Sequence, residues 1–180
     1  MNICNEFQYN NKNIIGTGAF STVYRGLNLK TNEIVAIKKI TNYKKDKYIF
    51  NEIELLTQLK DEDNIITLIN YYNIDNIIYL VFNYCSMSLD KYIKNNKCIE
   101  ESVCQNYFSQ IVNALKILYS KNIYHRDIKP SNILIENDRI YLCDFGLAKI
   151  IQIDNLDNID IKQSIVGSPL FISPEIYSDL

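Results

Sequence analysis

An α+β fold is predicted, β-rich in its first half and helical in its second, and two observations carry the prediction. From Tyr9 to Phe82 the apolar residues fall in short strand-like runs broken by turn residues, apart from one stretch of helical period. From Leu89 to Ser120 the period is helical, and Asn83-Tyr84-Cys85-Ser86 reads as a connector between the two parts. A chain of 180 residues is long enough for one domain with a sizeable core, or for two small lobes that share a cleft.

The first three strands lie between Tyr9 and Lys39. Asn13-Ile14-Ile15 leads into the turn Gly16-Thr17-Gly18-Ala19-Phe20-Ser21, and Thr22-Val23-Tyr24-Arg25 resumes β-type residues. Lys30-Thr31-Asn32-Glu33 is a turn and Ile34-Val35-Ala36-Ile37-Lys38 a third strand. A glycine-punctuated turn lets the backbone approach a ligand, with its N–H groups free to meet phosphate oxygens. A plain hairpin accounts for the glycine pair equally well. It is not a dinucleotide fingerprint, because a strand follows where that motif requires a helix and Ser21 replaces the third glycine.

From Tyr48 to Leu59 the period becomes helical, with Ile49, Ile53 and Leu56 on one face and Glu52 on the turn beside Leu56. A single glutamate on a helix is ordinarily a surface residue, and a lysine at a strand end such as Lys38 is ordinarily solvated. The two gain meaning only if they face each other. Ile65 to Tyr72 and Ile77 to Phe82 read as strands separated by the polar turn Asn73 to Asn76. Leu89 to Lys94 is a short helix, and Glu100 to Ser120 a longer one with Val103, Tyr107, Ile111, Leu115 and Leu118 as its core stripe. Ile133-Leu134-Ile135 and Ile140-Tyr141-Leu142 form a hairpin across Glu136-Asn137-Asp138-Arg139, which presents Asp144-Phe145-Gly146 at its exit. Periodicity is lost from Leu147 to Ser173, as in a functional or disordered loop.

Bulk properties exclude several classes. A net charge of −2 argues against nucleic-acid binding by general basicity. The five cysteines form no CxxC pair, so they read as reduced thiols rather than a zinc site or disulfide framework. Neither a signal-like N-terminus nor an apolar run approaching about 18 residues is present. An intracellular, cytoplasmic protein that binds neither nucleic acid nor membrane is expected.

The single histidine stands in His125-Arg126-Asp127-Ile128-Lys129-Pro130-Ser131-Asn132. A base at Asp127, a cation at Lys129 and a metal-binding amide at Asn132 suit chemistry on a phosphoryl group bound with Mg²⁺. Taken in order, Ile15 to Val23 (IGTGAFSTV), Val35 to Lys38 (VAIK), the helix with Glu52, the connector, the His125–Asn132 stretch, Asp144-Phe145-Gly146 and Ser173-Pro174-Glu175 resemble the protein kinase family. The resemblance covers nearly the whole chain.

That resemblance implies a kinase-like two-lobed fold: a β-rich N-lobe with one main helix over residues 9–82, a hinge over 83–88, and a helical C-lobe over 89–180. The C-lobe is expected to be incomplete, since the family continues past the segment matching Glu175 with further helices. ATP and Mg²⁺ are the implied cofactors. Ile15, Gly16, Thr17, Gly18, Ala19, Phe20, Ser21, Thr22 and Val23 would cover the nucleotide, with Val23 and Ala36 above the adenine and Leu134 below. Phe82 would guard the back pocket, and the backbone of Asn83, Tyr84 and Cys85 would hydrogen-bond adenine.

Lys38, held by Glu52, would bind the α- and β-phosphates, and Asn132 and Asp144 would hold Mg²⁺. Asp127 would be the base and Lys129 the support of the transferring group, the latter resembling serine/threonine rather than tyrosine kinases. Leu56, Leu68, His125 and Phe145 match the stack that aligns the lobes, which makes His125 a packing residue. Arg126 resembles control by loop phosphorylation, with Ser164 a candidate site, while Ser168 would shape the substrate pocket and Cys143 would line the ATP site.

The implied function is a serine/threonine kinase acting on protein hydroxyls. The alternatives are a non-catalytic nucleotide-binding pseudokinase or interaction module, and a fragment of a disrupted kinase gene. The usual arginine partner of Glu175 has no counterpart, because Arg25, Arg126 and Arg139 all precede it. A stabilising or activating protein partner is therefore expected.

Overall fold

A computed structural model describes residues 1–18, 20–41, 48–151 and 167–172. The chain divides into two compact units, Met1–Asp61 with Ile66–Cys85, and Glu62–Ile65 with Ser86–Leu180.

The first unit is an antiparallel sheet of six strands, β1 (Asn2–Ile3), β2 (Phe7–Thr17), β3 (Ser21–Asn28), β4 (Ile34–Ile40), β5 (Leu68–Ile74) and β6 (Ile77–Asn83). Their order is β1-β2-β3-β4-β6-β5. One helix, α1 (Ile49–Gln58), accompanies it. Alternation decides the faces. Tyr24, Val35, Ile37 and Val81 point into a core that also holds Ile3, Phe7 and Tyr9. Val23 pairs with Lys38, and Ala36 with both Arg25 and Phe82, so the register puts Val23, Ala36, Lys38 and Phe82 on the opposite face. The β5–β6 turn has positive φ at Asp75 and Asn76, the geometry that twists a two-residue hairpin correctly.

The second unit has α2 (Leu89–Asn95) and α3 (Glu101–Ser120), with β7 (Met87–Ser88), β9 (Ile133–Glu136) and β10 (Arg139–Leu142) in the order β10-β9-β7. A second ribbon pairs β8 (Ile123–Tyr124) with β11 (Lys149–Ile150). The Ser88 hydroxyl caps α2 by accepting from the Lys91 N–H. Asn137 and Asp138, both at positive φ, turn the β9–β10 hairpin. The Asn64 amide donates to Gln110 Oε1 at 2.9 Å and to the Ile140 carbonyl at 3.1 Å, and accepts from Asn113 at 3.0 Å. This knot fastens residues 62–65 to α3 and β10.

Four expectations are corrected. β2 begins at Phe7, and the sheet gains the unexpected β1, which buries Ile3. β5 starts at Leu68 instead of Ile65, because Ile65 is drawn into a parallel bridge with Leu142 in the second unit. β5 also continues through Asn73, so its turn is shorter than the polar run suggests. The core stripe of α3 is Tyr107, Ala114 and Leu118, with Leu115 exposed. Residue 114 continues the Tyr107 face after two helical turns, and residue 115 lies about 100° round from it. No helix among the described residues is long and apolar enough to cross a membrane.

Candidate active site

In the first unit, Lys38 comes from the middle of β4 and Glu52 from α1. The ammonium lies 2.9 and 2.7 Å from the two Glu52 oxygens. Glu52 is 4% exposed, so the helix turns a charge inward because a cation is waiting for it. Ile15, near the end of β2, and Phe20, just before β3, are exposed, and Ala19 lies outside the described residues. The Gly18 N–H corrects one expectation: it is not free for a ligand but donates to the Ser21 carbonyl at 2.8 Å inside the hairpin. Tyr84, at the connector, carries the Arg25 guanidinium over its ring at 5.7 Å.

In the second unit, Asp127 is 7% exposed and both carboxylate oxygens are engaged. Oδ1 accepts the Ser168 N–H at 3.0 Å and the Ser168 hydroxyl at 2.9 Å. Oδ2 accepts Lys129 Nζ at 2.7 Å and the Asn132 amide at 2.9 Å. Lys129 also reaches Ser168 Oγ at 2.7 Å. Burial pushes the Asp127 carboxyl up, but the bonds from Lys129, Ser168 and Asn132 outweigh it and hold the group below its ordinary range. Asp127 is thus an ionised, buried carboxylate at neutral pH.

The Asn132 Nδ2 donates twice to Asp127, to its side chain and to its backbone carbonyl at 2.9 Å, and among the described residues no hydrogen bond is donated to Asn132 Oδ1. The Asn132 carbonyl in turn accepts the Cys143 N–H at 2.9 Å, fixing Asn132 beside the segment that carries Asp144. Asp144 sits at φ 65° with an exposed carboxylate that caps nothing. Two hard oxygen donors left open in this way fit Mg²⁺, which ordinarily takes one or two protein ligands and completes its shell with phosphate and water. An all-protein cage is not needed, and among the described residues no cluster of three or more His, Cys, Asp or Glu forms one.

His125 packs edge-on against Phe145, 4.8 Å between centroids. One ring nitrogen accepts the Asp127 N–H at 3.3 Å, so the other carries the proton and donates to the Cys143 carbonyl at 3.0 Å. Burial pushes its pKa down, only partly countered by that carbonyl. Arg126, at φ 66°, donates from Nε to the Leu147 carbonyl at 2.6 Å. Gly167 has φ 115°, and a Cβ there would stand 2.6 Å from the Arg126 carbonyl oxygen. The glycine therefore lets Ser168 reach Asp127. The sequence marks this stretch only as aperiodic, with Ser168 given a general place in the substrate pocket; the bond from its hydroxyl to Asp127 has no local signature.

A family model described as protein kinase domain matches residues 9–179. The chain belongs to the protein kinase family. Among its relatives, serine/threonine-protein kinase ULK1 of Homo sapiens is 32% identical over 95% of this chain and 17% of its own length. Serine/threonine-protein kinase atg1 of Dictyostelium discoideum is 35% identical over 90% of this chain and 26% of its own. Mitogen-activated protein kinase 6 of Arabidopsis thaliana is 37% identical over 76% of this chain and 37% of its own. The chain thus spans well under half the length of these relatives. The first unit is the β-rich lobe with one main helix expected of a kinase domain. Ser164 and Ser173-Pro174-Glu175 lie outside the described residues.

Proposed function

We propose that this kinase domain transfers the γ-phosphoryl group of ATP to serine and threonine hydroxyls of proteins. The observation that carries the reading is the ionised Asp127 carboxylate held by Lys129 and Ser168. Asp127 orients the acceptor hydroxyl and takes its proton. Lys129, 2.7 Å from Asp127, sits where a cation would offset charge developing on the transferring group. Lys38, kept in place by Glu52, is assigned to the nucleotide phosphates, and Val23, Ala36 and Phe82 to the adenine on the same sheet face. Asn132 Oδ1 and the Asp144 carboxylate are assigned to Mg²⁺, which when bound neutralises phosphate charge.

The choice of serine or threonine rests on Lys129 and is supported by relatives named as serine/threonine kinases. The same reading places the domain in the reducing cytoplasm, supported by cysteines none of which is in a disulfide. Labelled-phosphate transfer to a generic protein substrate tests the function. Asp127→Asn should slow transfer by roughly 10²–10⁴; an unchanged rate in that variant would remove Asp127 from the mechanism.

A further inference from the structure

The sheet face that carries Val23 and Ala36 continues past Arg25, which pairs with Ala36, to Leu27, which pairs with Ile34 and Gln8. There it opens into a cup of about 680 Å³, within the roughly 300–1,000 Å³ of ordinary ligand sites. Part of the rim comes from a fault in the strand ladder. Between the pairs Tyr9–Gly26 and Ile14–Tyr24, β2 spends five positions where β3 spends two, so the stretch from Asn10 to Asn13 bulges out of register. Asn10 Oδ1 closes that bulge by accepting the Lys12 N–H at 2.9 Å.

Among the described residues the lining is rich in donors and holds no carboxylate. Arg25 is its charged side chain, and within the same residues its guanidinium is engaged through the Tyr84 ring, at 5.7 Å, and through no ion pair or hydrogen bond. An exposed arginine is ordinarily just solvated. Here the ring holds the fork in place while its N–H donors stay free for a planar anion. Gln8 and Asn13 add side-chain amides that are likewise unbonded among the described residues, and Leu27 with the exposed Ile34 gives the cup an apolar part. One cation is too few for a nucleic acid, whose binding draws on many phosphate contacts. Apolar lining asks for more than a bare anion. We propose that the cup docks an acidic segment of the protein substrate, Arg25 taking an anionic side chain, carboxylate or phosphate, and Leu27 with Ile34 taking an apolar neighbour. The inference rests on the phosphoryl-transfer reading of the site and gives that reaction a preference for acidic proteins.

The test measures binding first and turnover second, both on the full chain. Fluorescein-labelled hexapeptides alternating Leu with Asp, with Asn or with phosphoserine are titrated by anisotropy, with inorganic phosphate as competitor. The Asp or the phosphoserine peptide should bind roughly tenfold tighter than the Asn peptide, as one charge-assisted contact supplies, and the tighter of the two identifies the anion. Arg25→Gln should remove that margin, and Arg25→Lys, which keeps the charge but loses the fork, should remove part of it. Ile34→Glu, which sets a carboxylate in the cup from another strand, should also remove it. Lys116→Gln, with the same change in net charge, should keep it. A protein substrate joined by a flexible linker to the favoured hexapeptide should show a kcat/KM roughly tenfold above the same substrate joined to the Asn hexapeptide, and Arg25→Gln should bring that ratio near one. Equal binding of the three peptides, a margin that survives Arg25→Gln, a margin in binding with none in kcat/KM, or displacement by inorganic phosphate at the peptide's own concentration overturns the proposal and leaves the kinase reading standing. A margin in binding with no transfer to either substrate overturns the kinase reading and leaves the acidic-peptide site.

Discussion

With Glu52 buried and the Lys38 side chain only 20% exposed, their ion pair sits where a lone charge would be costly. Removing one member of a buried pair ordinarily costs about 3–5 kcal/mol, because the survivor stays desolvated. Partial exposure of Lys38 lets water reach it, so Glu52→Gln should destabilise the chain by about 2–3 kcal/mol. Urea unfolding reads the change. The double variant Lys38→Met with Glu52→Met should recover most of the loss, because both buried charges are then removed together. A single variant within about 0.5 kcal/mol of wild type would show that the pair does no more than a surface bridge. Activity should behave differently: the double variant should lose phosphate binding because Lys38 itself is gone, and Glu52→Gln should weaken it because Lys38 loses the carboxylate that positions it.

At the scale of elements, what could be read in advance was what is written locally. The strand runs of β2, β3, β4 and β6, the helical period of α1 and the β9–β10 turn residues each carry their instruction within a few positions. What could not be read depends on partners far along the chain. Ile65 is as apolar as any strand residue, yet Leu142 takes it. Gly26 resembles any strand glycine, yet a Cβ there would lie 2.5 Å from Ile37 Cδ1 and 2.9 Å from the Gln8 carbonyl. At the site, the residue types of Lys38, Glu52, Asp127, Asn132 and Asp144 were legible, but the bond from Ser168 to Asp127 spans 41 positions and has no local signature.

The phase of α3 is the clearest case, because Leu115 is the bulkier residue and Ala114 the buried one. Opposite mutational outcomes follow. Leu115→Gln should change stability by no more than about 0.5 kcal/mol, as at other exposed sites. Ala114→Leu should overfill a position that is 0% exposed and cost about 1–3 kcal/mol. Thermal melts of the two variants check the phase, and a larger loss from Leu115→Gln would restore the stripe that simple apolar spacing suggests.

For the whole molecule, pH sensitivity near neutrality converges on one side chain. The chain has a single histidine, and histidine is the side chain whose ordinary titration falls between pH 5 and 8. Around His125 stand Asp127 and Asp144, which favour its charged form, and Lys129, which opposes it. Burial outweighs the carboxylates, so the folded pKa lies below the ordinary 6.5. The unfolded chain then binds more protons than the folded one between that depressed value and 6.5, and stability must rise with pH across this window. It is complete above about 6.5 and is lost as pH falls through 6.5 toward the folded value. Asp127 adds nothing here, because its own pKa is lowered and its contribution disappears only below the ordinary carboxylate range. Urea midpoints between pH 7.5 and 5.5 should therefore decline for the native chain. His125→Phe keeps the contact with Phe145 but removes the titrating ring and the bond to the Cys143 carbonyl, so its midpoint should be lower at pH 7.5 and nearly flat across the same range. If that variant keeps the native slope, the sensitivity lies elsewhere and the ring is not held neutral by the fold.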